Sequence, residues 1–141
     1  MNKSNEGTGR SLKIEYEAKL GMILYYPVHC FTSKFPQQRQ YTGIWDCGSS
    51  GTRISQKVVQ DLQLKANGTV PVRQFEASEK IREVFFLSIA LSPDIVFSDV
   101  RVTNGYFPPD FDVIIGLDLI TQGDFRLRTE NGKTVVEFRV Q

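Results

Sequence analysis

Apolar and polar residues alternate over Leu12, Ile14 and Tyr16 against Lys13, Glu15 and Glu17, which is the period of a half-buried strand. A second run, Gly21 to Phe31, is apolar and aromatic and reads as a more buried strand, with Pro27 marking an edge or a bulge. The segment Gly43-Ile44-Trp45-Asp46 is a third strand that runs into a tight turn, Cys47-Gly48-Ser49-Ser50-Gly51-Thr52. Ile54, Val58, Val59 and Leu62 then recur at helical spacing. This predicts a short helix over Ser55 to Leu64, with Asn67-Gly68 as its stop. Val70 to Ala77 and Ile81 to Leu91 read as strands joined by Ser78-Glu79-Lys80. A turn at Ser92-Pro93-Asp94 leads into a strand over Ile95 to Val102. Asn104-Gly105 and Pro108-Pro109 mark a loop before the apolar strand Asp112 to Ile115. A second short helix is expected over Leu117 to Gln122, and a hairpin pairs Phe125 to Arg128 with Thr134 to Val140 across Glu130-Asn131-Gly132. Many short strands with regular turn signals predict an all-β, closed barrel with one or two short helices.

The chain has 141 residues, a length that fits one domain and buries about two-thirds of the unfolded surface. Residues 1–11 are polar and glycine-containing and read as a flexible leader, leaving residues 12–141 as a single domain. The net charge is +1 with acids and bases interspersed, so no electrostatic footprint for nucleic acid stands out. Two cysteines, Cys30 and Cys47, make neither a disulfide framework nor a zinc motif. They point to a reducing compartment, the cytoplasm. The apolar run Leu20 to Val28 is too short to span a bilayer, so no membrane partner is expected. Glu15 and Glu17 stand where the basic part of a signal peptide would be.

Two segments carry the chemistry. The first is the strand and turn around Asp46. The second, about 60 residues later, reads Phe111-Asp112-Val113-Ile114-Ile115-Gly116-Leu117-Asp118-Leu119-Ile120. The first resembles the Asp-Thr/Ser-Gly active-site turn of aspartic proteases. The second resembles the Ile-Ile-Gly-x-Asp/Asn-x-Leu segment of a retroviral-type protease lobe. Together they make residues 12 to 140 resemble a retropepsin-like domain. The family usually has Thr or Ser at the position of Cys47 and a modest apolar residue at that of Trp45.

The resemblance implies a barrel of the retropepsin type and an aspartic endopeptidase that uses neither cofactor nor metal. In that chemistry two carboxylates share one proton, so one serves as acid and the other as base towards a bound water. The chain holds one such aspartate turn, so a complete site needs Asp46 from each of two chains around a twofold axis. Partners are then a second copy and a peptide or protein substrate. Cys47, Gly48 and Ser49 would form the active-site turn, with Gly48 allowing close approach and unusual φ angles. Substrate would be covered by a flap whose tip includes Ala77, Ser78 and Glu79. A thiol at position 47 is a weak hydrogen-bonding group, and this favours an alternative: a catalytically inactive dimeric module that keeps the peptide groove.

Other readings of the same residues are less specific. Asp118 beside Gly116 is expected to cap a short helix rather than to catalyse. The Gly48-to-Thr52 loop has neither Walker spacing nor the nucleophile elbow pattern. His29, the only histidine, would have to lie beside Cys47 for a cysteine-based hydrolase. Trp45, Phe85, Phe86, Phe107 and Phe111 are expected in the core, some of them lining a cleft.

Overall fold

In the computed structural model, residues 9–19, 22–73 and 79–141 are described. Among these residues the ten strands are β1 (Arg10–Glu17), β2 (Tyr25–Phe31), β3 (Arg39–Trp45), β4 (Arg53–Ile54), β5 (Thr69–Arg73), β6 (Glu79–Ser92), β7 (Ile95–Asn104), β8 (Val113–Ile115), β9 (Asp124–Glu130) and β10 (Lys133–Val140). Two short helices interrupt them, α1 (Gln56–Asp61) and α2 (Leu117–Ile120).

The main sheet has the order β2-β3-β8-β4-β7-β6-β5, and β2 also pairs with β6. That pairing closes β2, β3, β8, β4, β7 and β6 into a six-stranded barrel. β2 meets β6 only over His29 to Phe31, so among the described residues Pro27, paired with Thr42 of β3, faces no strand on its other side. A tertiary amide nitrogen, which cannot donate, is tolerated there. β8 is three residues of continuous apolar sequence, all buried. It runs parallel to β3 and antiparallel to β4, which places the two sequence segments singled out above side by side.

A second, three-stranded sheet has the order β1-β10-β9. It packs on the barrel through aromatic rings. Trp45, only 5% exposed, lies with its ring centroid 5.2 Å from Phe125, 5.7 Å from Phe138 and 5.6 Å from Tyr26. Offset and tilted ring pairs at such distances are favourable beyond the area they bury. The large Trp45 ring therefore bridges the two sheets. The core continues through Val28, Ile54, Leu87, Ile89, Val102, Val113 and Ile115, all fully buried.

Several boundaries differ from expectation. β1 begins at Arg10, not Leu12, because Arg10 and Ser11 pair with Val140 and Arg139. α1 stops at Asp61 rather than near Leu64. Gln63 takes φ 49°, its N–H reaches Gln60 O at 3.2 Å, and the N–H of Leu64 reaches Val59 O at 2.9 Å. This is a Schellman closure with glutamine in the left-handed position that glycine usually takes. Glu79 and Lys80 lie in β6, paired with Arg73 and Val72, and not in the connection. Ala77 and Ser78 lie outside the described residues. Phe85 is buried, whereas Phe86, next to it on a strand and so on the opposite face, is 41% exposed. Phe107 and Phe111 are half-buried.

Among the described residues, no helix is long and apolar enough to cross a membrane.

Candidate active site

The site begins where β3 ends. Asp46 donates its backbone N–H to Ile115 O at 3.0 Å, so the aspartate is fixed to the end of β8. The chain then turns. Asp46 Oδ1 accepts the Gly48 N–H at 2.9 Å, and Asp46 O accepts the Ser49 N–H at 3.2 Å. These bonds are the ordinary device by which an aspartate closes a turn on its own backbone. Here they also orient one carboxylate oxygen, while the half-buried side chain remains open to a cleft. Gly48 is not in the left-handed region; a Cβ at this position would stand 3.1 Å from Asp46 Oδ1. The glycine therefore acts by leaving room for the carboxylate, not by supplying an unusual φ. Ser49 donates its hydroxyl to Gly51 O at 2.7 Å, and its own carbonyl accepts the Leu117 N–H at 2.8 Å.

The other side of the turn is held by a buried polar knot. Thr52, 1% exposed, gives its N–H to Asp118 Oδ2 at 3.0 Å and its hydroxyl to Asp118 Oδ1 at 2.7 Å. The same hydroxyl accepts the Gly116 N–H at 3.1 Å. Asp118 also accepts the Leu119 N–H at 2.9 Å; Gly116 is the N-cap of α2, and Asp118 stands in its first turn, where a carboxylate is favoured, and at the same time grips the Asp46 loop. Gly116 has a steric reason. A Cβ there would lie 2.6 Å from the backbone carbonyl of Gly51, inside any tolerable contact. Farther on, Ser55 caps α1 and donates its hydroxyl to Asp112 Oδ1 at 2.7 Å, a second tie between the two segments.

Cys47 is exposed at the tip of the turn. His29 faces Gln40 at the far end of β3, six positions from Asp46, or about 20 Å at strand rise. The Cys47–His29 pair of a cysteine hydrolase is therefore not assembled within one chain. Cys30 is buried, and burial, reinforced by Asp112, raises its thiol pKa to about 12.

In front of Asp46 lies a cleft of about 870 Å³. Its floor is Asp46, Gly48, Ser49, Ser50 and Gly51, and one wall is Val70, Pro71 and Val72 of β5. The other side carries Arg53, Arg101 and Thr103. Glu79 of the expected flap is the first residue of β6, opposite Arg73 at the far end of this hairpin. The sequence alone assigns no role to Arg53, Arg101 or Thr52. Only the alternation of buried Thr52 and Ile54 around Arg53 hints that its side chain leaves the core towards the cleft. Burial pulls the Arg53 guanidinium below its ordinary pKa; the Asp46 carboxylate opposes this and Arg82 adds to it.

No protein-family model and no curated protein matches this chain. Among solved structures, a retropepsin-like aspartic protease from Rickettsia conorii superimposes over 95% of this chain and 97% of its own, with a TM-score of 0.58 and 13% identity. The retroviral protease-like domain of Ddi1 from Leishmania major aligns over 81% of this chain and 94% of its own, with a TM-score of 0.45 and 14% identity. The chain therefore has the retropepsin-like fold, a closed β-barrel with the Asp46 turn beside the Ile-Ile-Gly strand.

Proposed function

We propose that this protein is a homodimeric aspartic endopeptidase in which Asp46 of each chain holds the attacking water. The observation that carries the reading is the Asp46 turn itself. A carboxylate oriented by the Gly48 N–H, tied to β8 and braced by the Thr52–Asp118 knot, opens on a cleft walled by a hairpin. That is what water activation requires of each half: a rigid carboxylate, able to meet a twofold copy of itself. Cys47, Gly48 and Ser49 shape the turn, and the β5–β6 hairpin, which includes Glu79, covers an extended peptide by main-chain pairing. The working unit is a single domain.

Purified protein is expected to sediment as a dimer and to cleave peptides, and Asp46→Asn is expected to abolish cleavage while leaving the dimer folded. Full activity in a monomer, or cleavage by Asp46→Asn at the wild-type rate, overturns this reading.

One observation favours a silent, peptide-holding dimer instead: the exposed thiol of Cys47 stands where the resemblance puts a hydroxyl across the twofold. A thiol bonds more weakly, so Cys47→Thr is expected to tighten the dimer and raise cleavage. Peptide binding without cleavage in both wild type and Cys47→Thr selects the silent module.

A further inference from the structure

The cleft in front of Asp46 is unusual in its charge. Among the described residues that line it, Asp46 is the one carboxylate, against the two guanidinium groups of Arg53 and Arg101. A third arginine stands close by. Around Gly105, a Cβ would lie 3.5 Å from Arg53 Nη1 and 3.7 Å from Arg82 Nε, so the two side chains flank the same glycine. Arg53 is placed by β4, whose two residues are clamped between β7 and β8 by the Arg53–Thr103 and Arg53–Ile114 registers. Its base is therefore rigid. Its Nε is buried and has no hydrogen-bond partner among the described residues, and no ion pair within 4.0 Å joins it to Asp46.

A buried donor on a charged group is costly while it stays unpaired. A guanidinium is a rigid fork matched to a carboxylate, which it binds through two charge-assisted bonds. An amide oxygen offers less, and an ammonium group repels. In the dimer of the reading above, two copies bring four of these arginines to two Asp46 carboxylates. Among the described residues the assembled cleft is thus cationic, and it steers anions towards the reacting atoms.

We propose that Arg53, seconded by Arg101, is a specificity residue, and that the substrates of this cleft are peptides bearing an acidic side chain within a few residues of the scissile bond. The inference rests on the endopeptidase reading for the word substrate, though not for the binding preference. An extended peptide advances about 3.3 Å per residue. Asp46 and Arg53 share one cleft, so the acidic residue lies near the bond that is cut and not at a remote site.

The test uses the full chain and capped octapeptides with a central Phe-Phe pair and alanine elsewhere, carrying Glu, Gln or Lys in turn at each remaining position. For at least one position, Glu is expected to raise kcat/KM about tenfold or more over Gln, with Lys the poorest. Higher ionic strength narrows the gap. Arg53→Met is expected to level Glu and Gln while still cleaving the Gln peptides. Should Arg53→Met fail to fold, Arg53→Lys keeps the charge, loses the fork and is expected to shrink the gap. Equal cleavage of Glu and Gln peptides at every position overturns the inference and leaves the endopeptidase reading standing. So does a Glu advantage undiminished in the folded Arg53 variant. If nothing is cleaved, fluorescence anisotropy with labelled versions of the same peptides decides. Tighter binding of Glu than Gln peptides, lost in the Arg53 variant, supports the acidic preference and removes the endopeptidase; binding that ignores charge, or no binding, removes both.

Discussion

Thr52 shows how much one hydroxyl holds in place. It donates to Asp118 and accepts from Gly116 at the same time, and it is buried. Thr52→Val keeps the shape and deletes the oxygen. One charge-assisted bond goes, and the Gly116 N–H is left without its acceptor. The expected loss is about 2–4 kcal/mol, read from urea unfolding, with Thr52→Ser retaining most of the wild-type midpoint. A Thr52→Val protein as stable as wild type contradicts the account of the knot. If the proposed endopeptidase reading holds, cleavage by the valine variant falls as well, because the Asp46 loop loses its grip on α2. Gly116 is constrained from the other direction, by space: its hydrogen is the only group that fits against Gly51.

At the scale of elements, local signals and distant ones gave unequal information. The β9–β10 hairpin was readable because Asn131 and Gly132 adopt φ 51° and 77°, values that asparagine and glycine tolerate and most other residues resist. The Asp46 turn and the Ile-Ile-Gly strand were readable as a pair because each carries its own residues. The end of α1 was not. Asn67-Gly68 is a strong stop signal, yet Gln63 turns the chain first, with Leu62 buried below it. Nor was the placement of Glu79 and Lys80, whose partners are Arg73 and Val72 of another strand. Arg53 was silent for the same reason: its meaning comes from β7 and β5 being brought around it. The strained cap of α1 yields a prediction. A left-handed non-glycine residue costs about 1 kcal/mol, part of which glycine returns through its freer unfolded chain. Gln63→Gly is therefore expected to raise stability by about 0.5 kcal/mol in urea titrations; a lowered midpoint contradicts it.

For the molecule as a whole, burial of neutral acids sets an upper pH limit. Desolvation raises the Tyr16 hydroxyl from 10.0 to about 12, and burial, aided by Asp112, raises the Cys30 thiol from 9.0 to about 12. Tyr41 moves the same way through burial and its bond to Asp61. A raised native pKa means the native state binds more protons than the unfolded one, so stability falls with pH in between. The stabilising contribution is whole below about pH 9 and is lost as pH climbs towards about 12. Urea midpoints should decline across that window, and less steeply in Cys30→Val; a flat profile contradicts the assignment. The placement of the Asp46 turn carries a last consequence, one of timing. Thr52 is clasped by groups 64 and 66 positions later in the chain, and Arg10 at one end of the molecule meets Val140 at the other. Contacts so distant in sequence make folding slow, on the order of milliseconds to seconds for topologies of this kind. As the chain leaves the ribosome, Asp46 emerges early and waits for Ile115 and Asp118 before its loop can set. A nascent chain that stops short of α2 thus holds the aspartate without the architecture that fixes its turn.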